Sequence, residues 1–500
     1  MAQPSAQPAA PPDVRHASSG SGSLAAALLG CVSAVALLSC TVNVGPARAD
    51  TLRQALAAAY RTNPRLDAER ARLRASDEEV PRAKAGWRPR IDGSADFGQE
   101  KRRSKPASSN DGSGRPWGYQ VRLSQPVFRG FRTVNGVAAA EAQVRVSREN
   151  LRLVEQQTLL AAATAYMDVL RDRRLVRLQR NNVAVLSREL DAAVARRNAR
   201  EITRTDVAQA RARRARAISD LDSARAALRT SRAVYKQIIG HAPRNLHSPY
   251  LKASLIPRTL RRALHIALNE SPNVVSAKYR EQEARHQVAL VRGELLPEVN
   301  LEATYGRRFD VTGTVNDQDE TRVSGRINVP FYRGGEVHAR VRQAKHRHVT
   351  RLQQIEQART ETRTQLISAW SRLKAARSRL RSDRMQVSAN RTALDGVRLE
   401  EKVGQRTLLD LLNAQQELLS AEIALVRTRR EVVVAAYTLL GAMGRLNAQE
   451  LALMSQVYDP AEHYHQVRRK WFGLRITRPD GRHADVEVWD DREHGPGSLK

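Results

Sequence analysis

The chain is built as two copies of one unit of roughly 200 residues, and this duplication limits the possible folds more than any other feature. Residues 51–98 begin TLRQALAAAYRTNPRL and reach GWRPRIDGSADFG; residues 259–306 begin TLRRALHIALNESPNV and reach ELLPEVNLEATYG. Thr51 answers to Thr259, Pro64 to Pro272, Pro89 to Pro297 and Gly98 to Gly306, a constant offset of 208 residues. From SQPVFRGFR (124–132) and NVPFYRGGEVHAR (328–340) onward the offset is 204, pairing Pro126 with Pro330, Phe128 with Tyr332, Gly130 with Gly334 and Asp206 with Asp410. One loop absorbs the difference of four residues. A repeat this long is not a solenoid period, so the halves are expected to be pseudo-symmetric.

Each half reads helix, strand, loop, strand, long helix, turn, helix. Four windows alternate: Ile91, Gly93, Ala95 and Phe97; Trp117, Tyr119, Val121 and Leu123; Val299, Leu301, Ala303 and Tyr305; Val323, Gly325, Ile327 and Val329. Polar or charged residues fill most positions between them. A period of two gives one apolar and one polar face. A soluble sandwich fits this pattern, and so does a transmembrane barrel with lipid outside and water inside. Four strands cannot close a barrel, and lipid does not tolerate open edges, so spanning strands would have to be shared among several chains. The polar, Gly-bearing stretches 101–116 and 307–320 are expected to be external loops.

The helices are long. One near-unbroken pattern runs from about Thr133 to Ala199, roughly 100 Å at 1.5 Å per residue, and its partner runs from about Gly335 to Val403. After the second turn two apolar seams appear. One passes through Leu409, Leu412, Gln416, Leu419, Ile423, Val426, Arg430, Val433, Tyr437 and Leu440, with two polar exceptions, and the other through Leu411, Ala414, Leu418, Ala421, Leu425, Thr428, Val432, Ala435, Leu439 and Ala442, both in steps of three and four. Seams two residues apart point to opposite sides of a helix, which then packs a neighbour on each side, as in a ring of helices.

At the junction, Pro126 and Pro330 are expected to end a strand, because proline donates nothing to a ladder. Phe128, Phe131, Phe331 and Tyr332 lie where an interfacial aromatic girdle would be, and Gly130 and Gly334 let the backbone turn into helix. The repeated unit is therefore a barrel-to-tube junction.

Residues 1–49 read as a signal peptide. Leu24–Ser39 is apolar and uncharged but short for a spanning helix, and Ala47-Arg48-Ala49 supplies an A-x-A site, so the mature chain would start near Asp50. Cys40 offers an alternative lipidation site. Cys31 and Cys40 are the only cysteines, so the rest of the chain can form neither a disulfide nor a thiolate metal site. The net charge of +32 raises the question of nucleic acid. Stacking platforms need aromatics beside the basic residues, and here the few aromatics sit mostly apart from the Arg runs, which favours a solvated Arg-rich helical face.

The sequence resembles the outer-membrane efflux and export channel family typified by TolC, and within it the alphaproteobacterial type I secretion branch. The stretches that carry the resemblance are ALAAAYRTNPRLDAERARLRASDEEV, SQPVFRGFRTVNG, AYMDVLRD, TRTDVAQARAR and GQRTLLDLLNAQQELLSAEIALVRTRREVVVAAYTLLGAMG, within about 50–446. The resemblance implies a mainly α fold in which each chain gives four β-strands to a shared, trimeric, 12-stranded membrane β-barrel and long coiled-coil helices to a periplasmic α-barrel tunnel. It implies a homotrimer in outer-membrane lipid, working with a periplasmic adaptor and an inner-membrane ABC or RND pump. It implies no cofactor, no enzymatic activity and no nucleic acid. The first repeat would cover 50–258, with a hairpin at 90–126 and a tip turn near 200. The second would cover 259–446, with a hairpin at 298–330 and a tip turn near 404. By match to the family, Thr205, Asp206 and Arg406 form the periplasmic gate, with Arg406 to Asp206 as the closing link. Asp410 would be a pore ring of three copies. The family's second ring carboxylate falls on Asn413, which leaves one ring and argues against strong cation sensitivity. Arg122, Arg322 and Arg326 would face the barrel lumen.

No HExxH, GxSxG or Walker loop occurs. His346 and His348, two apart, do not share a helical face. Asp310, Asp317, Asp319 and Glu320 read as a solvated loop. The C-terminal extension, 447–500, lies outside the duplication; YDPAEHYHQVRRKWFGLRI is expected to pack against the tube, and DDREHGPGSLK to be disordered. The alternative reading is a basic secreted coiled-coil interaction protein with no channel activity. A secreted enzyme would need a compact catalytic cluster, and none is visible.

Overall fold

The computed structural model describes residues 50–107, 111–249, 255–312, 315–477 and 483–484. The expected leader and the DDREHGPGSLK end lie outside the described residues.

Each half opens on a short helix followed by a proline restart. α1 (Leu52–Thr62) begins with a Thr51–Gln54 capping box; its C-cap, Asn63, then caps α2 (Pro64–Asp77). The first half breaks again before α3 (Glu79–Lys84), whereas in the second α6 (Leu260–Glu270) leads into an unbroken α7 (Pro272–Arg292). Pro81 explains the difference. It has no N–H for the carbonyl four residues earlier, and its repeat counterpart is Ala289.

The strands β1 (Arg90–Phe97), β4 (Trp117–Arg129), β5 (Glu298–Thr312) and β6 (Val315–Asn328) form one antiparallel sheet in that order. β2 (Glu100–Arg102) and β3 (Gly112–Gly114) form a short ladder within the first hairpin, reaching into the expected loop 101–116. The second expected loop also departs from the sequence reading. β5 and β6 continue into 307–320, pairing Arg307 with Asp319 and Phe309 with Asp317. Backbone pairing carries this hairpin on after the apolar alternation stops, where no hydrophobic signal marks a strand.

The register sorts the two faces. Leu123 faces Ile91 on one side and Ala303 on the other; Val121 faces Tyr305; Val323 follows Ala303, and Ile327 follows Val299. Directly paired residues share a face, so the apolar sets of all four strands form one surface. The opposite face carries the row Asp92, Arg122, Thr304, Arg322, and next to it Asn300 with Arg326. On the apolar face Ile91, Val121, Tyr305, Val323 and Ile327 are exposed to the surroundings of the chain. At one end of this face Trp117 stacks on Phe309 at 4.1 Å, with Phe97 paired to Trp117; at the other, Phe128 meets Phe131 edge-on at 5.2 Å. Trp117 to Phe128 spans eleven steps, roughly 36 Å along a strand. At a barrel tilt of about 40° this is about 28 Å along the membrane normal, close to the ~25 Å apolar band of outer-membrane barrels.

The long helices follow the expected plan. α4 (Arg132–Asn198) and α8 (Glu336–Lys402) each have 67 residues; the tip turns lead to α5 (Arg204–Ile239) and α9 (Leu408–Ala442). α4 packs on α5 and α9, and α9 packs on α8, giving the order α5–α4–α9–α8. The two seams of α9 are buried in part: Leu412, Leu419, Val426, Val433, Tyr437 and Leu440 in one, Leu411, Ala421, Thr428, Ala435 and Leu439 in the other, while Leu409 and Gln416 are exposed. α8 buries one stripe, through Thr362, Leu366, Ala369, Leu373 and Ala376, and leaves Ile367, Met385 and Leu399 exposed.

The main core lies at mid-height, where α1, α6 and residues 446–453 add a layer around α4, α5, α8 and α9; Leu56, Leu159, Tyr166, Tyr235, Leu366, Leu439 and Met443 are at its centre. Tyr166 donates its hydroxyl to the carbonyl of Asp50 or His247, each at 2.8 Å, and burial pushes its pKa up to about 12. Toward the tip the described residues form two small clusters, Leu186 with Ala217 and Leu412, and Ala193 with Val207 and Ala210. A thinly packed end is the part of a helical layer best suited to move. After the second repeat, α10 (Glu462–Val467) packs on α2, so the expected packing of YDPAEHYHQVRRKWFGLRI holds for its first part, against a short helix, while Phe472 and Leu474 near its end are exposed. His463 Nδ1 lies 2.9 Å from the buried Asp77, and Tyr464 donates to Glu141 at 3.2 Å.

Candidate functional site

The two tip turns are built alike from sequence upward. Thr203 caps α5 and Thr407 caps α9, each closing a capping box with the carboxylate three residues on, Asp206 and Asp410. Asp206 Oδ2 accepts from Thr203 N and Oγ1 at 3.0 and 2.8 Å; Asp410 Oδ2 accepts from Thr407 N and Oγ1 at 3.1 and 2.8 Å. The Thr407 hydroxyl, then its N–H, hold the Asp410 carboxyl below the usual carboxylate value. Thr205 is exposed in the first turn of α5.

Within the chain the expected closing link is not formed. Arg406 Nε donates to Glu400 at 2.9 Å across its own turn, and Asp206 is taken up by Thr203. The reason is local. A capping carboxylate has its partners a few residues away, and Arg406 meets Glu400 before it can reach the other hairpin. Both side chains of the Arg406–Glu400 pair are about half exposed.

Three other contacts join the hairpins near the tip. Arg196, at the end of α4, bonds to Glu401, at the end of α8, and the Glu401 side chain is only 6% exposed. Gln415 donates to Glu189 at 3.2 Å, and Arg213 donates to the Asn413 side-chain Oδ1 at 2.8 Å. Asn413 is thus tied to α5. Further up, Arg430 bonds to Asp168 at 2.8 Å. Residues about 200 apart in sequence meet here, and neither a heptad seam nor a motif reveals such pairs.

At the junction, Pro126 does not end β4. The strand runs on to Arg129, with a register shift between Pro126 and Phe128. Pairing with β1 stops at Ser124, so Pro126 is paired on one side only, the situation in which a strand accepts proline. Pro330 does lie beyond its strand, which ends at Asn328. Gly130 adopts φ +57, and a Cβ on it would collide with the carbonyl oxygen of Gly293. Gly334 has φ +56, but a Cβ there would meet nothing within 4 Å. Tyr332 and Phe331 beside it are largely exposed. Glu298, at the foot of β5, binds Arg129 at 3.3 Å and Arg132 at 2.8 Å, tying the first junction to the second half.

Among the described residues no group of three or more His, Cys, Asp or Glu side chains is placed to hold a metal ion, and no helix is long and apolar enough to cross a membrane.

The chain is similar to known proteins along most of its length. It is 41% identical to the outer membrane efflux protein BepC of Brucella suis over 453 residues, 90% of this chain and 97% of that protein. It is 24% identical to the outer membrane protein TolC of Escherichia coli over 429 residues, 82% of this chain and 85% of that one. The crystal structure of the Campylobacter jejuni CmeC outer membrane channel superposes with a TM-score of 0.71 at 15% identity, covering 84% of this chain and 89% of CmeC. The sequence profile of the family described as outer membrane efflux protein matches residues 52–241 and 263–445, the two repeats seen in sequence and structure. The apolar strand face, the paired long helices and these matches agree: the chain belongs to the TolC-like outer membrane efflux protein family.

Proposed function

We propose that this protein is the passive outer-membrane conduit of a tripartite efflux or type I secretion system. Three copies would close one 12-stranded barrel and one helical tunnel. The observation that carries this reading is the open sheet: β1 and β6 are both unpaired edges, while the sheet's outer face is apolar. Open edges are not tolerated in lipid. The chain already contains the contact that would close them, because β4 of the first half pairs with β5 of the second. Repeating that contact between chains sets β6 beside β1 of the next copy. The same step sets α8, with its exposed Ile367, Met385 and Leu399, beside the next α5.

In this assembly Asp410 would ring the pore at the tip with Asn413 beside it. Thr205, Asp206 and Arg406 would face the neighbouring chain, where the half-exposed Arg406 can exchange Glu400 for Asp206 of the next copy. A periplasmic adaptor and an inner-membrane ABC or RND pump would dock at this end and supply the energy. The native mass of detergent-extracted protein, followed by planar-bilayer recording, tests the reading. A trimer that conducts is the expected result; a monomer that forms no channel overturns it.

A further inference from the structure

The segment after α10 is not part of either repeat, and its side chains face outward. Trp471 is 64% exposed, Phe472 91%, Leu474 102% and Ile476 50%. Four large apolar residues within six positions are an unusual load for a tail in water. Their height along the molecule is fixed by contacts. The Trp471 ring lies 4.8 Å from the Arg88 guanidinium, two residues before β1 begins, and Lys84, at the end of α3, donates to the Arg468 carbonyl at 3.3 Å. Gln125, in β4, donates to the Trp87 carbonyl at 3.0 Å. Trp471 therefore sits level with the foot of the sheet, where Trp87, Phe131, Phe331 and Tyr332 are also exposed.

The segment is held in this position. His463 meets the buried Asp77, Arg148 and Arg468 lie over the Tyr464 ring at 5.2 and 5.9 Å, and Lys470 donates to the Arg475 carbonyl at 2.9 Å, drawing 470–475 into a turn at Gly473, φ +117. β7 (Ile476–Thr477) then pairs with β8 (His483–Ala484). Arg468, Arg469, Lys470 and Arg475 flank the apolar residues.

From these contacts we infer that residues 468–477 are a peripheral membrane anchor, in which Trp471, Phe472, Leu474 and Ile476 enter the periplasmic leaflet of the outer membrane and the flanking Arg and Lys side chains bind its anionic phospholipid headgroups. Aromatic bodies with cationic neighbours match the acyl–headgroup boundary, and the patch continues the aromatic girdle at the end of the strands. The inference rests on the outer-membrane placement of the sheet and not on the conduit reading.

The test uses the full chain in nanodiscs of phosphatidylethanolamine and phosphatidylglycerol. The emission of Trp471 is isolated as the difference between wild type and Trp471→Phe. A blue-shifted difference spectrum, quenched by phospholipids brominated near the headgroup and protected from iodide, is expected. The quenching should diminish in phosphatidylcholine discs and in an Arg468→Gln, Arg469→Gln, Lys470→Gln variant. Quenching by iodide with none by bromolipid would overturn the anchor, and so would protection from both, which would mean that a second copy covers the patch. Equal quenching in phosphatidylcholine would remove the anionic headgroup part. Loss of conductance with intact bromolipid quenching would count against the conduit and leave the anchor standing.

Discussion

Arg196→Ala should unlock the tip more than any change at the link expected from sequence. The Arg196–Glu401 pair joins the ends of the two long helices, with 38% of the arginine side chain exposed and 6% of the carboxylate. Exposed ion pairs contribute ~0–1 kcal/mol, and orphaning a buried charge costs ~3–5 kcal/mol. With one partner buried and the other partly solvated, losing Arg196 should cost about 2 kcal/mol per chain. Glu401→Gln keeps a neutral acceptor and orphans only the more exposed partner, so it should cost about 1 kcal/mol. In the proposed trimer, widening the tip would shift the α4–α5 hairpin against α8–α9 and break this contact in every chain. In the proposed trimer, Arg196→Ala then weakens closure by about 6 kcal/mol in all, beyond the ~5.5 kcal/mol that takes a two-state equilibrium from 1:99 to 99:1. Glu401→Gln, at about 3 kcal/mol, shifts it roughly a hundredfold. Single-channel recording should show mostly open Arg196→Ala channels and intermediate Glu401→Gln channels. Unchanged conductance from intact Arg196→Ala trimers would refute the role of the pair. A rise confined to Arg406→Ala and Asp206→Ala would return the gate to a contact between chains.

The cap on α9 should weaken in acid. Its carboxylate, Asp410, is held below the ordinary value of 3.8, so its contribution is present above that value and lost as pH falls through the lower, folded one. Hydrogen exchange in the first turn of α9 should accelerate over this range in the wild type and lose its pH dependence in Asp410→Asn. Reversing Arg122, Arg322 and Arg326 to Glu should move the zero-current potential toward cation selectivity, because all three lie on the polar face of the sheet; an unmoved potential would place that face away from the lumen. Gly130→Ala should abolish trimers, since its Cβ has no room against Gly293 of its own chain, whereas Gly334→Ala, open within its chain, should only lower the trimer yield, through the contact with the next copy. Trimer yield after extraction separates the two.

The parts of this protein that were legible in its sequence are those whose signal is local and periodic. Alternation at period two placed the two faces of all four strands, and steps of three and four placed both seams of α9, because a side chain's direction follows from its position along a regular element. The leader expected over residues 1–49 lies outside the described residues. Contacts between distant residues left no trace of this kind. Arg196 and Glu401 look like ordinary charges on long helices, and Asp206 and Asp410 matched a gate while their local threonines claimed them as caps. Where apolar alternation stopped, as at 307–320, backbone pairing continued unseen.

The remaining surprise is that corresponding positions of the two halves do not have equal surroundings. The junctions at Gly130 and Gly334 share the same turn, and φ is +57 in one and +56 in the other. The first is pressed against Gly293 of its own chain, and the second faces open space. A duplication offers each contact twice, yet a single chain can satisfy only the one between its halves. β6, the free stripe of α8 and Gly334 are all left over from the same unmet contact, and all lie on the second half. β1 and α5 are left over on the first. One further copy of the chain, related by the same step that relates the halves, would use every one of them. The leftover surfaces of the two halves are therefore complementary parts of one interface, and a substitution at either edge should be felt in assembly before it is felt in folding.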